Sequence, residues 1–202
     1  MRWDRYGERM TQTPFTLRRW SRLDYDRLVE LGAFEGEAVE LIGGQFIVAE
    51  PHGTYHAATL GAAGDAVRSV LPPGWILRNQ LPLSLDDESA PEPDLAVVPG
   101  SHADYRNAHP AVPPLVIEVA DSSLGFDRTV KGSVYARAGV RDYWIVNVTE
   151  RTLEVYREPV RDPAAPWGWS YRSVRTLRAG ATVTPLALPD VRIDVATLVP
   201  PG

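Results

Sequence analysis

Apolar residues recur along the chain with two different periods, which predict a domain in which helices and strands alternate. Helical spacing marks the segments 20–31, 52–71 and 127–138. In the first segment Leu23, Leu28 and Leu31 share a face, so we predict a short amphipathic helix. Ser21 and Thr54 are predicted N-caps, and Gly32 and Gly139 are predicted helix ends.

Shorter apolar runs predict the strands. The runs 38–42 and 45–49 flank Gly43–Gly44, a pattern that is typical of a tight hairpin. The uniformly apolar run 95–98 is typical of a buried strand. Further strands are predicted at 75–85 (interrupted at Pro82), 115–120, 143–148, 153–157, 169–176 and 181–186. We therefore predict an α/β domain with a mixed sheet over residues 15–202, preceded by a loose tail at 1–14.

Two carboxylates interrupt these apolar runs. Asp94 opens the run 95–98, directly after Pro93, and a turn aspartate is the plain alternative to a site role. Glu118 lies inside the run 115–120, where alternation aligns it with Val116 and Ala120. A buried carboxylate is costly unless it is paired or bound to a metal. We therefore expect Glu118 to belong to a site, with a salt bridge to an arginine as the alternative.

The cationic residues are almost all arginine. Lysine and arginine total 21 residues, yet Lys131 is the only lysine in the sequence. A compact ammonium differs from the planar guanidinium in hydration and in its readiness to shift pKa, which favours a specific role at position 131. Lys131 follows Asp127 by four residues, so a surface ion pair along one helix is the alternative.

Together these residues predict a site for a divalent metal. Two carboxylates on neighbouring strands can share Mg²⁺ or Mn²⁺, and Lys131 would orient or deprotonate a water, or stabilise charge on a phosphate. Glu40 alternates with Ile42 and is either a third acidic group of the site or solvent-facing. His56 is a candidate metal ligand or a cap of its helix, and Gln80 is a weaker candidate. The other histidines, His52, His102 and His109, show no metal-ligand spacing.

Composition limits the partners. The net charge is −5, which argues against tight, metal-independent binding of nucleic acid. The chain has no cysteine and no apolar run of membrane-spanning length, so we expect a cytoplasmic protein without disulfides or membrane association.

Read in order, these motifs resemble the Uma-type family of endonucleases, in the PD-(D/E)xK, restriction-endonuclease-like superfamily. The resemblance spans roughly residues 16–190 and rests on the following residues: Glu40–Gly44, His56, Pro93–Asp94, Ile117–Val119, Asp127, Lys131, Tyr135, Gly139–Val140 and Tyr143–Trp144. It implies a mixed central sheet flanked by helices and a divalent metal, with Asp94 and Glu118 in the acidic positions. In the superfamily pattern the lysine lies two residues after the glutamate, where this chain has Ala120. The family moves it to the next helix, which Lys131 matches.

Three functions follow as hypotheses. The first is Mg²⁺-dependent endonuclease cleavage of DNA with Asp94, Glu118, Lys131 and Glu40 as catalytic residues. The second is a catalytically silent, nuclease-fold binding or regulatory module, and the third a hydrolase of small phosphoesters. A homodimer would let two sites address both strands. Tyr143–Trp144 and the β-rich C-terminal third are candidates for its surface, and core packing explains these residues equally well.

Overall fold

The computed structural model describes residues 18–49 and 53–199. The predicted tail at 1–14 and the start of the segment 52–71, including His52, lie outside this part. In chain order the helices and strands are α1 Arg22–Glu30, β1 Val39–Ile42, β2 Gln45–Val48, α2 Thr54–Val70, β3 Trp75–Asn79, β4 Leu95–Pro99, a 3₁₀ turn His102–Tyr105, β5 Leu115–Ala120, α3 Leu124–Phe126, a π-helical turn Asp127–Lys131, α4 Gly132–Ala138, β6 Asp142–Asn147, β7 Thr152–Arg161, β8 Trp169–Leu177, β9 Thr182–Val183, β10 Ile193–Asp194 and α5 Val195–Leu198.

Strands β3 to β8 form a six-stranded sheet in sequential order. Only β5 and β6 are parallel, and the helical segment α3–α4 connects them, while the other neighbours are antiparallel. One face packs against α2 and α5, and the other against α4 and residues of the first hairpin. Strand β5 is buried on both faces, which accounts for its apolar sequence. The prediction of a mixed α/β sheet is confirmed.

Two predicted strands differ from the structure. Residues 81–85 do not continue β3, which ends at Asn79, although the Leu83 N–H still donates to the Pro91 carbonyl. The predicted strand 181–186 is reduced to β9, which pairs with β10 outside the six-stranded sheet. Both segments pack against the rest of the domain, since Leu83 and Val183 are core residues.

Helix α1 begins as predicted but presents a different face. The Ser21 hydroxyl accepts the Asp24 N–H in a reciprocal capping box. Leu23 and Leu31, however, are 59% and 81% exposed, so the predicted apolar face is wrong. The helix is held through Tyr25, whose ring packs near Phe34 and Phe46 and whose hydroxyl donates to the Val39 carbonyl. The predicted Thr54 cap is also wrong, because Gly53 occupies that position.

The β1–β2 hairpin turns at two glycines, as predicted. Gly43 and Gly44 have φ values of +55° and +78°, which suit a two-residue turn with both residues left-handed. The Trp167 ring lies against Gly43, in the space that a β-carbon would occupy. Glycine is therefore required at position 43 for its backbone and for this contact.

Replacing Gly43 by alanine should lower the free energy of unfolding by about 3 kcal/mol, from left-handed strain and displacement of Trp167. Gly74 is the matched control, because its φ of +84° is similar but the space beside it is open. Gly74→Ala should cost only the strain, about 1 kcal/mol. Urea unfolding of both variants measures the difference, and equal losses would contradict a role for the Trp167 contact.

The helix after β5 contains a π-helical turn. The Gly132 N–H bonds to the Asp127 carbonyl five residues earlier, so the segment 127–138 is not the regular α-helix that its spacing predicts. Gly139, with φ +85°, ends the helix as predicted. Such widened turns are frequent at functional sites, and this one carries Asp127 and Lys131.

Candidate active site

Asp94 and Glu118 lie side by side on neighbouring antiparallel strands. Leu95 pairs with Ile117, so the next positions outward are 94 and 118, and directly paired residues point to the same side of a sheet. The Asp94 N–H donates to Glu118 Oε2 over 3.2 Å, and the Val119 N–H donates to Asp94 Oδ2 over 2.8 Å. The two carboxylates therefore share one face and one cavity.

The two carboxylates differ in their protonation. Burial raises the pKa of Asp94, but His56, the Val119 N–H and Lys131 outweigh it and lower the pKa below its ordinary value. For Glu118, burial raises the pKa to about 8, and the nearby Asp127, Asp94 and Glu40 add to this although Lys131 opposes it. Asp94 is thus ionised at neutral pH, while Glu118 readily holds a proton.

Lys131 reaches this pair from the π-helical turn. Its ammonium donates to Glu118 Oε1 over 3.0 Å and to Glu40 Oε1 over 3.2 Å, and the residue is 8% exposed. Burial alone would lower the pKa of Lys131, but Glu118, Glu40 and Asp127 raise it well above its ordinary value. The ammonium therefore stays protonated.

Glu40 comes to the same place from the first hairpin. Of the two sequence alternatives, the structure selects the buried one, because Glu40 is 8% exposed and paired with Lys131. Its second oxygen, Oε2, is buried without a hydrogen-bond partner in the described part of the chain. A buried carboxylate oxygen in this state favours the approach of a donor or a cation.

Two further residues hold Asp94. His56 lies at the start of α2 with Nε2 3.7 Å from Asp94 Oδ1. Gln80, directly after β3, donates from its side chain to the same oxygen over 3.4 Å. Its φ of +46° is left-handed, an uncommon conformation for a residue other than glycine and one that is found at functional sites.

Tyr135, which carries part of the family resemblance, was not predicted as a site residue. Its hydroxyl donates to Glu118 Oε1 over 2.8 Å, so this oxygen accepts from both Tyr135 and Lys131. The available signal was the spacing: Tyr135 follows Lys131 by four residues, which places both on one helix face.

Asp127 is buried rather than part of a surface ion pair. It is 2% exposed, and its carboxylate accepts the Ser123 hydroxyl over 2.6 Å. Burial raises the pKa of Asp127 to about 6, although Lys131 and the Ser123 hydroxyl oppose the shift. The widened helical turn places the Lys131 ammonium on Glu40 and Glu118 instead, as described above.

Apart from Tyr135, these residues line one cavity of about 500 Å³. Glu92, which sequence reasoning also missed, contributes a further carboxylate whose pKa is raised by burial and by Glu40. Within residues 18–49 and 53–199, no cluster of three or more His, Asp or Glu side chains is arranged to hold a metal. In this cavity Asp94 and Glu118 share one face, and His56 lies beside Asp94.

Some predicted features lie away from the cavity. Tyr143 and Trp144 are fully buried on opposite faces of the sheet and cannot supply a dimer surface. His102 and His109 are on the β4–β5 connection and do not line the cavity. No helix in the described part of the chain is long and apolar enough to cross a membrane.

Comparison with known proteins agrees with this fold. A solved structure from Anabaena variabilis, described as a "putative nuclease", superposes with a TM-score of 0.58 at 18% identity, over 80% of this chain and 89% of the other. No curated protein matches the sequence. The model of the Uma2 family, described as "Putative restriction endonuclease", matches residues 23–196. Because this match spans most of its length, the chain belongs to the Uma2 family.

Proposed function

We propose that the protein is a Mg²⁺-dependent endonuclease that hydrolyses phosphodiester bonds of DNA. The observation that carries the proposal is the pair Asp94 and Glu118, adjacent on one sheet face, with the Lys131 ammonium 3.0 Å from Glu118. The family description and the nuclease-like structural neighbour support the same reaction class.

The donor set suits Mg²⁺. This ion is usually held by one or two carboxylates, with waters and substrate phosphate oxygens as the other ligands. Asp94 and Glu118 would supply the two carboxylates, and His56 would orient Asp94 or provide a nitrogen. Mn²⁺ accepts the same carboxylate ligands and imidazole. When bound, such an ion polarises the scissile phosphate and lowers the pKa of a bound water.

The chain's own residues then have distinct roles. Lys131 stays protonated, which favours charge stabilisation at the phosphate over proton abstraction from water. Glu40 positions the ammonium through its 3.2 Å bond, and Tyr135 orients Glu118. Gln80 and the Val119 N–H fix the direction of Asp94.

The acidic cavity explains how a chain of net charge −5 would make binding of its substrate depend on a metal ion. Six carboxylates line the cavity: Glu40, Glu92, Asp94, Glu118, Asp121 and Asp127. Without a cation they repel a phosphate, so the scissile phosphate should enter this cavity only when the metal is present. A silent binding module would not require this coupling between metal and DNA.

The test is cleavage of supercoiled plasmid by purified protein with Mg²⁺, with Mn²⁺ and with EDTA. We expect nicked or linear products only with a divalent cation. A calorimetric titration with Mn²⁺ should show a dissociation constant below millimolar. Metal binding without cleavage of DNA, RNA or nucleotide esters would favour the silent module, and cleavage of the esters alone would favour a phosphoesterase.

Mn²⁺ affinity should rise with pH. Below its pKa of about 8 the Glu118 carboxyl carries a proton that the ion must displace. The association constant should therefore increase up to ~10-fold per pH unit between pH 6.5 and 8, and level off above. Calorimetry in buffers of different ionisation enthalpy would also count the released proton. In Glu118→Gln the rise should disappear, and a flat profile in the wild type would contradict the assigned protonation.

A further inference from the structure

Arg78 is a buried cation outside the cavity. It lies on β3, is 5% exposed, and pairs across the sheet with Ala96 of β4. Charged side chains are rarely buried this deeply unless a counter-charge accompanies them.

The contacts of Arg78 contain no carboxylate among residues 18–49 and 53–199. One terminal nitrogen donates to the Pro82 carbonyl over 3.3 Å and to His109 Nδ1 over 3.2 Å, and the guanidinium carbon lies 5.4 Å from the centre of the Tyr105 ring. Its Nε is buried without a hydrogen-bond partner. Burial also lowers the pKa of Arg78, as expected for a cation that lacks compensation. Because such burial costs stability, an arginine here indicates an anion that residues 18–49 and 53–199 do not supply.

His109 extends this group toward solvent. Arginine only donates hydrogen bonds, so His109 Nδ1 must accept, and the ring proton of the neutral imidazole is on Nε2. The residue itself is exposed. Burial lowers the pKa of His109, and Asp26 is the nearby carboxylate that raises it against this stronger effect. Its Oδ2 already accepts a hydrogen bond from Arg22 over 3.2 Å. His109 therefore holds the guanidinium through Nδ1, and the Arg78 Nε–H remains as a donor for an anion.

The location connects this pair with the active site. Arg78 lies within β3, and Gln80 follows the end of this strand, two positions further along. The two residues therefore share the sheet face that carries Asp94. Strand geometry separates them by about 7 Å along the chain. An anion at Arg78 would thus lie along the same face as the carboxylate pair.

We propose that Arg78, held in place by His109, forms a phosphate-binding site, separate from the metal cavity, that holds a backbone phosphate of the nucleic acid. The assignment to a backbone phosphate rests on the proposed function, whereas the anion site rests on the geometry alone. Arginine suits this role because its planar fork matches phosphate oxygens.

Thermal unfolding with inorganic phosphate tests the anion site without any cleavage. With EDTA present and ionic strength matched by chloride, wild-type Tm should rise saturably by about 3 °C at phosphate tenfold above its dissociation constant. Arg78→Met, which keeps the apolar stem, should lose this shift, and Arg68→Met should retain it. Arg68 is an exposed arginine paired with Asp65 on α2. Because His109 is exposed, His109→Phe should fold normally and reduce the shift even if Arg78→Met does not fold.

Binding of a single-stranded oligonucleotide identifies the source of the phosphate. In EDTA, the slope of log affinity against log salt should fall by about one in Arg78→Met and stay unchanged in Arg68→Met. An equal phosphate shift in wild type, Arg78→Met and His109→Phe would overturn the anion site. A lost shift with an unchanged slope would overturn the backbone assignment in favour of a free phosphate or monoester. Loss of cleavage in the plasmid assay bears on neither result.

Discussion

Asp94→Asn is expected to lower the rate of metal-dependent plasmid cleavage by about 10³-fold. The substitution removes one of two carboxylates available to the ion, and metal charge stabilisation amounts to several kcal/mol, of which each 1.36 kcal/mol is about tenfold in rate. Asparagine keeps an oxygen that can accept the Val119 N–H now bonded over 2.8 Å to Asp94, so the fold should persist. Initial rates of nicking, measured with Mg²⁺ and Mn²⁺ on parallel preparations, provide the comparison.

Asp65→Asn is the matched control, because Asp65 is an 84% exposed carboxylate on α2 and far from any role in the cavity. It should cleave like the wild type. Glu118→Gln should resemble Asp94→Asn in rate. If both cavity variants retain wild-type rates, the activity comes from a contaminating nuclease and the proposed site is wrong.

Lys131→Met is expected to affect stability and activity together. It leaves Glu40 and Glu118 without their shared cation, and breaking one side of a buried pair typically costs about 3–5 kcal/mol. The loss should grow with pH. Without Lys131 the pKa of Glu118 rises further above 8, so Glu118 is protonated at pH 6 and its part of the unpaired charge destabilises the fold only as pH increases. Urea unfolding at pH 6 and pH 9 measures this dependence.

A double variant separates the two effects. Lys131→Met combined with Glu40→Gln removes one of the carboxylates together with the ammonium, and should recover part of the stability that Lys131→Met loses. Cleavage should stay about 10²–10³-fold below the wild type, because the donor aimed at the phosphate remains absent. Wild-type cleavage by the double variant would exclude a direct role for Lys131.

The elements that follow local rules were predicted well from the sequence. The Gly43–Gly44 hairpin, the Ser21 capping box and the buried strand 115–120 each depend on neighbouring residues, and all three are present. The face of α1 was wrong because burial there depends on which aromatic rings Tyr25 meets, and those come from other segments. The strand 181–186 was wrong in extent because pairing with β10 depends on a distant part of the chain.

The candidate site divides in the same way. Asp94, Glu118 and Lys131 were predicted because a charge in an apolar run, or a single lysine among arginines, can be recognised from the sequence alone. Gln80 and Tyr135 lie in unremarkable sequence surroundings, and their contacts with Asp94 and Glu118 appear only when strands and helix are assembled. Glu92 was not predicted as a site residue, because a proline-rich turn has no regular period that would indicate which side chains face inward.

The sequence by itself determined the alternation of helices and strands, the glycine turns and the unusual placement of charged residues in apolar runs, since these depend on local backbone preference and on the cost of burying charge. Only the tertiary structure decided that Glu40, Glu118 and Lys131 meet, across separations of 91 and 13 residues. The reason is that the register of β4 on β5 and the extra residue of the π-helical turn set the direction of those side chains. No local sequence pattern predicts either of these features.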